Sequence, residues 1–304
     1  MSSSQQRQET RVRHVLSFDV EEHFQVSAFW SDARRQQWDR LESRVESNTL
    51  RLMELLAQAE TKATFFVLGW VAERHPELVR TLAKQGHEVA SHGYGHELVT
   101  NQTDSEFRDD VRRSKYILED LTGEEVLGYR APSFSITDQN SWALTILAEE
   151  GYLYDSSIYA RLQRSEKGGR ERCVREIVTT AGKIHEVALP TANLCGIQLP
   201  IAGGGYFRLF PYSVSKMFLR QFEKAGHQFV MYFHPWEIDS DQPQMDGPLV
   251  SRFRHYLNLK KTETRLQYLL RDFAFAPVVK VIQPIRKRVQ TLVQCDTPQY
   301  VVCR

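Results

Sequence analysis

Apolar and polar positions along this chain alternate between two periods, short apolar runs and longer stripes repeating every three to four residues. Residues 1–13 are polar and without periodicity, and they read as a disordered leader. His14–Val20 (HVLSFDV) is the first strand candidate and ends in acidic residues. Leu52, Leu55 and Leu56 share a stripe over 48–59, which predicts a helix with Ser47 or Asn48 as cap. Ala63–Val67 (ATFFV) suits a strand buried on both faces. The segment PELVRTLAKQ follows, with Pro76 near its first position and Gly86 just past its end, an asymmetry that marks a helix. Strands are predicted at 87–91, 128–131 and 152–155. Helices over 104–121 and 138–150 are closed by Gly123 and Gly151.

This alternation, at about 25 to 35 residues per unit, implies a mainly parallel sheet with crossover helices. Arg-dense 161–176, with Lys167-Gly168-Gly169 in its middle, reads as an exposed loop. A hairpin at 177–189, turning at Ala181-Gly182, interrupts the pattern, which resumes with helix 212–225 and strand 228–233. Residues 251–273 are expected to be one helix rich in both signs of charge.

Composition narrows the class. The chain has 304 residues, 41% hydrophobic, with 39 Lys plus Arg against 38 Asp plus Glu and a formal net charge of +1. Such a balance gives no reason to expect a nucleic-acid binder. No apolar run approaches the roughly 20 residues of a membrane span. The start lacks an apolar h-region, so the expectation is no secretory signal and a cytoplasmic protein. Cys173, Cys195, Cys295 and Cys303 form no CxxC pair, which speaks against a cysteine zinc site or a disulfide framework. The basic tail around Arg286-Lys287-Arg288 is a candidate for peripheral contact with anionic lipid at the inner membrane face, with a solvated helix end as the competing reading.

Parallel α/β folds bind ligands at the carboxyl ends of their strands, so reactive residues at those ends mark a candidate site. The first predicted strand ends in Asp19, Glu21 and Glu22. The third ends in His92, with His96 four residues on. The fourth runs into Arg130-Ala131-Pro132, the fifth into Asp155-Ser156-Ser157, and a late one into His234-Pro235-Trp236. In SHGYGH, Gly93 and Gly95 free the backbone, so both imidazoles can face one point. Two imidazoles plus a carboxylate make the open three-ligand pattern of catalytic zinc. Asp19 and Glu21, two apart, share one face of a strand, which suits one ligand beside one base. Each feature has a plainer reading: solvated histidines or acids, a surface Arg130, a core His234, an Asp155 that caps Ser156-Ser157. Pro132 forces extended geometry on Ala131 and aims Arg130 along the strand, where it could pair with Asp19. Gly203-Gly204-Gly205 lacks a phosphate-loop pattern and suits a tight turn near substrate.

SFDVEEHF at 17–24, ATFFVLGWVAERHPELV at 63–79, GHEVASHGYGH at 86–96, YRAPSFS at 129–135, GYLYDSSI at 151–158 and YFHPWEID at 232–239 occur in the order of the polysaccharide deacetylases of carbohydrate esterase family 4. The chain most resembles the subgroup found with exosortase and exopolysaccharide gene clusters, whose extension is similar to GGGYFRLFPY at 203–212 and to 252–273. The resemblance implies a distorted (β/α)7 barrel over 14–275, with a subgroup-specific part from about 180, and a basic tail over 276–304. It implies a divalent metal, usually zinc, with Co2+ or Ni2+ as alternatives, and hydrolysis of N-acetyl groups on the amino sugars of a free or lipid-linked glycan. Asp19 would be the general base, paired with Arg130. His92 and His96 would be metal ligands. His234 would be the general acid, oriented by Asp155, and the Ala131 N–H would belong to an oxyanion hole. Tyr206, Pro132 and Trp236 would lie against substrate. The family's usual first motif has two adjacent aspartates, and Val20 stands in the second place here. The strand-face argument makes Glu21 the replacement ligand, with Glu22 as fallback. Gly93 replaces the family's Ser or Thr. Relatives of this fold that cleave small cyclic amides, and a non-catalytic glycan-binding protein, are the alternatives.

Overall fold

The computed structural model describes residues 13–29, 35–158, 173–194 and 197–282. The leader before Arg13, most of the expected Arg-rich loop over 161–176 and the tail from 283 on lie outside the described residues. The sheet begins with β1 (Arg13–Val20). Its Leu16, Phe18 and Val20 pack into the main core under the helices, while Val15 packs into a second cluster on the opposite face. Strand alternation therefore puts Ser17 and Asp19 on the face of Val15.

The chain continues through α1 (Val45–Gln58), β2 (Thr64–Val67), α2 (Gly69–Arg74), α3 (Pro76–Lys84), β3 (Glu88–Ser91), α4 (Asp104–Thr122), β4 (Gly128–Tyr129), α5 (Trp142–Glu149) and β5 (Tyr154–Asp155). The hairpin β6 (Val174–Thr179) and β7 (Gly182–Val187) follows, so the final residues of the expected Arg-rich loop belong to a strand. Then come β8 (Thr191–Leu194), β9 (Ile197–Pro200), α6 (Gly204–Leu209), α7 (Tyr212–Lys224), β10 (Val230–Phe233), α8 (Leu249–Tyr256), α9 (Leu259–Asp272) and β11 (Ala274–Ala276).

The sheet order is β10-β1-β2-β3-β4-β5-β7-β6, with β11 on β1. From β10 to β7 every pairing is parallel, and β6 is antiparallel to β7. The last strand of the alternation thus returns beside the first, with Val15 opposite Val230 and Phe18 opposite Phe233. On the far side, the Ile201 N–H donates to Pro190 (3.3 Å) and the Tyr232 N–H to Ala202 (3.0 Å), which links the β7 end back toward β10. The alternation predicts the mainly parallel sheet, and the family resemblance implies its curling into an α/β barrel; among the described residues seven strands run parallel from β10 to β7, with β11 parallel to β1 beside them. No helix among the described residues is long and apolar enough to cross a membrane.

Three local expectations are corrected. Helix α1 starts ahead of Ser47 and Asn48, because its cap is remote: the Glu22 carboxylate accepts the N–H groups of Arg44 (3.1 Å) and Val45 (3.3 Å). The single helix expected over 251–273 is broken at Asn258, which adopts φ 54°. There the Arg208 guanidinium donates to the carbonyls of His255 (2.7 Å) and Leu257 (2.8 Å), satisfying the end of α8 and letting the chain turn. The tail begins later than 276, since Val278, Val281 and Ile282 are buried. They join Val15, Phe66 and Ala90 on the inner face of the barrel, and the Val278 and Val279 N–H groups bond Thr64 and Glu88. The inner face is thus apolar at this end and polar where the strands finish.

Candidate active site

Glu21 leaves the end of β1, and His92 leaves the end of β3. The Glu21 Oε2 lies 2.6 Å from His96 Nε2 and 3.8 Å from His92 Nε2. Candidate ligand atoms of the three residues all fall within 4.8 Å of one another, and all three are buried. Burial opposes a charge on Glu21, but His96, His234 and His92 outweigh it and hold the carboxyl at about 2. Burial also holds His92 down at about 4, against the pull of Asp19 and Glu21. The His92 Nδ1 sits 2.8 Å from the Arg130 carbonyl, so it carries the proton and leaves Nε2 as a lone-pair donor. An ionised carboxylate and two imidazoles converging from different strands form a donor set that fits an open divalent-metal site. Glu22 points elsewhere, to the start of α1, and lies outside this trio.

The loop carrying the histidines is clamped from two sides. The first N–H groups of α2, at Gly69 and Trp70, donate to the Gly93 and Tyr94 carbonyls at 2.9 Å each. From α4, the Asp110 carboxylate accepts the Tyr94 N–H at 3.0 Å. Gly93 has φ +77°, and a Cβ there would meet Asp110 Oδ1 at 2.7 Å. This position therefore takes no Ser or Thr while Asp110 stays where it is.

Asp19 lies on the same face, beside the trio. Its Oδ1 accepts from Arg130 Nη1 at 2.7 Å. Arg130 is fully buried, and its remaining donors reach Ser17 Oγ (2.9 Å), Ser156 O (3.1 Å) and Ser156 Oγ (3.0 Å). It lies over the Phe66 ring at 4.1 Å. A buried guanidinium so fully satisfied fixes the Asp19 carboxylate in direction.

Across the cavity, His234 follows β10. Its Nε2 is 3.9 Å from Asp19 Oδ2 and 3.7 Å from Glu21 Oε1. Its Nδ1 is 2.8 Å from Glu237 Oε1, and its own N–H reaches the same oxygen at 3.1 Å. Glu237 Oε2 is held in turn by Arg208 Nε at 2.8 Å. A Cβ on Gly204 would lie 1.9 Å from this carboxylate and one on Gly203 would lie 2.4 Å from the Tyr232 hydroxyl, so Gly204 makes room for Glu237 at the start of α6. Burial disfavours an imidazolium, but Glu21, Glu237 and Asp19 raise His234 to about 9. The Trp236 ring stacks between His234 (4.9 Å) and His255 (4.1 Å), and its indole N–H donates to Glu21 Oε1 at 3.2 Å.

These groups line a cavity of about 300 Å³, walled also by Ser133, Phe134, Tyr232 and Arg254. Ser133 (φ 51°) and Phe134 (φ 56°) are consecutive non-glycine residues in the left-handed region, a strain that collects at functional sites.

The structure brings Asp19, Glu21, His92, His96, Arg130, His234 and Trp236 together. It separates four residues from their expected roles. Asp155 does not orient His234, a role taken by Glu237. The Asp155 carboxylate instead accepts the Ser157 hydroxyl (2.5 Å) and N–H (3.1 Å). Beside it, burial and the Asp155 charge push Glu186 well above the carboxylate range. The Ala131 N–H donates to Ser157 Oγ at 2.8 Å and is committed inside the protein, not to an oxyanion. Pro132 is buried, and its neighbours Ser133 and Phe134 line the cavity. Tyr206 is not in the wall, to which α6 contributes Gly205 and Arg208. Sequence reasoning missed Glu237 and Arg208, although the acid stands three residues after His234 in HPWE.

Residues 36–153 match the family model described as polysaccharide deacetylase. The chain carries a polysaccharide deacetylase domain. Residues 156–283 match a second model, a domain of unknown function (DUF3473). The cavity spans both matches, with His92, His96, Ser133 and Phe134 from the first and Arg208, His234, Trp236 and Glu237 from the second. Asp19 and Glu21 precede both. Among curated proteins, a Bacillus cereus peptidoglycan-N-acetylglucosamine deacetylase is 33% identical over 90 residues, 30% of this chain and 42% of its own length. A Helicobacter pylori peptidoglycan deacetylase is 32% identical over 108 residues, 36% of each. The chain thus spans less than half the length of these relatives. Among solved structures, a presumed polysaccharide deacetylase from Mycobacterium smegmatis shares the fold at a TM-score of 0.60 and 20% identity, over 97% of this chain and 99% of that one.

Proposed function

We propose that the protein hydrolyses the N-acetyl group of an amino sugar in a polysaccharide or its biosynthetic intermediate, releasing acetate and a free amine. The observation that carries this reading is one cavity in which a carboxylate fixed by a buried arginine faces a carboxylate-backed imidazole across three donor residues that could hold a divalent metal. Asp19, held by Arg130, accepts the proton of the water that attacks the acetyl carbon. His234, with Glu237 on Nδ1, presents Nε2–H to the departing nitrogen. General acid–base help of this kind contributes about 10²–10⁴-fold. A divalent ion on Glu21, His92 and His96, zinc by its donor set, would supply Lewis-acid polarisation of the carbonyl and a lowered pKa for bound water.

The names of the curated relatives support an N-acetylated amino sugar as substrate class. The segments at 203–212 and 252–273, which resemble the exosortase-associated subgroup, support a role in exopolysaccharide assembly. Both segments contribute to the cavity, through Arg208 and Arg254. The test is acetate release from N-acetylated oligosaccharides by metal-loaded and chelator-treated protein, with a small cyclic amide alongside. Metal-dependent acetate release is expected. Hydrolysis of the cyclic amide alone would overturn the substrate class, and undiminished turnover after chelation would overturn the metal.

A further inference from the structure

Helix α8 walls one side of the cavity with Ser251, Arg254 and His255. Its outward side carries Leu249, Val250 and Phe253, which are 81%, 71% and 62% exposed. At about 100° per residue, these three occupy one arc, and buried His255 lies opposite its centre. Arg252 and Arg254 fall at the two edges of that arc. The other exposed large apolar side chains among the described residues, such as Leu50, Tyr116, Val178 and Met217, stand singly on separate elements. From 249 to 261 the chain holds Arg252, Arg254, Lys260 and Lys261 and no acidic residue.

A water-facing helix carries its apolar residues toward the core; here an apolar stripe faces outward with a guanidinium on each side. That is the chemistry of a helix lying in a membrane interface, where apolar side chains enter the acyl boundary and cations meet anionic headgroups. A second copy of the chain is a poor occupant, because packing the two stripes together would crowd four guanidiniums. We infer that α8 seats the protein on an anionic lipid bilayer, with the cavity walled by the opposite side of the same helix. The glycan that enters there is one attached to, or growing from, that membrane. The inference goes beyond the deacetylase reading, and its test needs no turnover.

The experiment is co-sedimentation of the full chain with phosphatidylglycerol/phosphatidylcholine vesicles and with phosphatidylcholine vesicles alone. The wild type should prefer the anionic vesicles by roughly tenfold or more. The combined variant Leu249→Asp, Val250→Asp, Phe253→Asp should lose roughly tenfold or more of that binding. All three positions are exposed, so its unfolding midpoint and its turnover of a soluble oligosaccharide should match the wild type. Arg252→Glu should weaken binding to anionic vesicles without changing binding to neutral ones. Equal vesicle binding by the triple variant and the wild type would overturn the inference, since another part of the chain would then carry the contact. A wild-type dimer that the triple variant abolishes, with neither protein binding vesicles, would also overturn it and assign the stripe to self-association.

Discussion

Replacing Glu237 by Gln changes one atom of a buried side chain and should disable His234 without touching the metal trio. Arg208 can only donate, so the amide oxygen must face its Nε and the amide NH2 must face His234 Nδ1, 2.8 Å away in the native protein. That NH2 makes Nδ1 an acceptor and leaves the His234 backbone N–H without the oxygen it reaches at 3.1 Å. The imidazolium then loses a charge-assisted hydrogen bond worth about 1.5–3 kcal/mol, equivalent to about one to two pH units. With His234 as the proposed acid, activity should be lost as pH rises through its pKa, which Glu21, Glu237 and Asp19 raise. The basic limb of kcat/KM for acetate release should therefore move to lower pH in the variant. A ring held in the wrong tautomer adds a loss at the optimum of about 10- to 10³-fold, within the range general acid catalysis supplies. Metal content should stay at the wild-type value. Asp155→Asn, by contrast, should leave the basic limb in place. A Glu237→Gln enzyme within about threefold of wild type with an unmoved basic limb would refute the reasoning, as would an Asp155→Asn enzyme whose limb moves instead.

Three further outcomes follow from the same contacts. Glu21→Gln should abolish stoichiometric metal binding, whereas Glu22→Gln should keep the metal and lose about 1–3 kcal/mol of stability by uncapping α1; metal analysis and denaturant unfolding distinguish them, and the reverse result would exchange the two roles. Trp236→Phe keeps a ring between His234 and His255 but removes the N–H on Glu21, so metal affinity should drop about 10–100-fold, and unchanged affinity by competition with a chelating dye would deny that support. Burial pushes Asp110 up to about 6 from 3.8, so the native state binds this proton more tightly than the unfolded chain, and ionising the group costs stability as pH rises between those values. Asp110→Asn removes that cost, and the wild type should therefore fall relative to the variant by about 1–3 kcal/mol between pH 4 and 7; a stability difference that does not change with pH would contradict this.

What could be read from the sequence depended on distance along the chain. The Asp19–Glu21 spacing and the His92–His96 interval each lie within one strand end or one loop, and strand alternation with two glycines was enough to aim them. Arg130 was reachable because Pro132 restricts the backbone beside it. The cap on α1 was not reachable, since Glu22 crosses from the end of β1 to the N–H of Arg44. The same holds for the break at Asn258, which depends on Arg208 arriving from α6. Glu237 was within reach, being three residues from His234 in a short helical turn (Pro235–Ile238). It was passed over because the family resemblance put Asp155 in that role, while here Asp155 is bound up with Ser157 and Glu186. A motif names the residue types present; which carboxylate faces which ring is decided by the packing around them.

In the proposed reaction Asp19 removes the proton from the water that attacks an acetyl amide in this cavity. Its most direct test is acetate released per amine exposed from an N-acetylated oligosaccharide, for wild type and Asp19→Asn at equal metal content. One acetate per amine is expected for the wild type, and a rate at least about 10²-fold lower for the variant. Equal rates for the two proteins, or amines exposed without acetate, would contradict it.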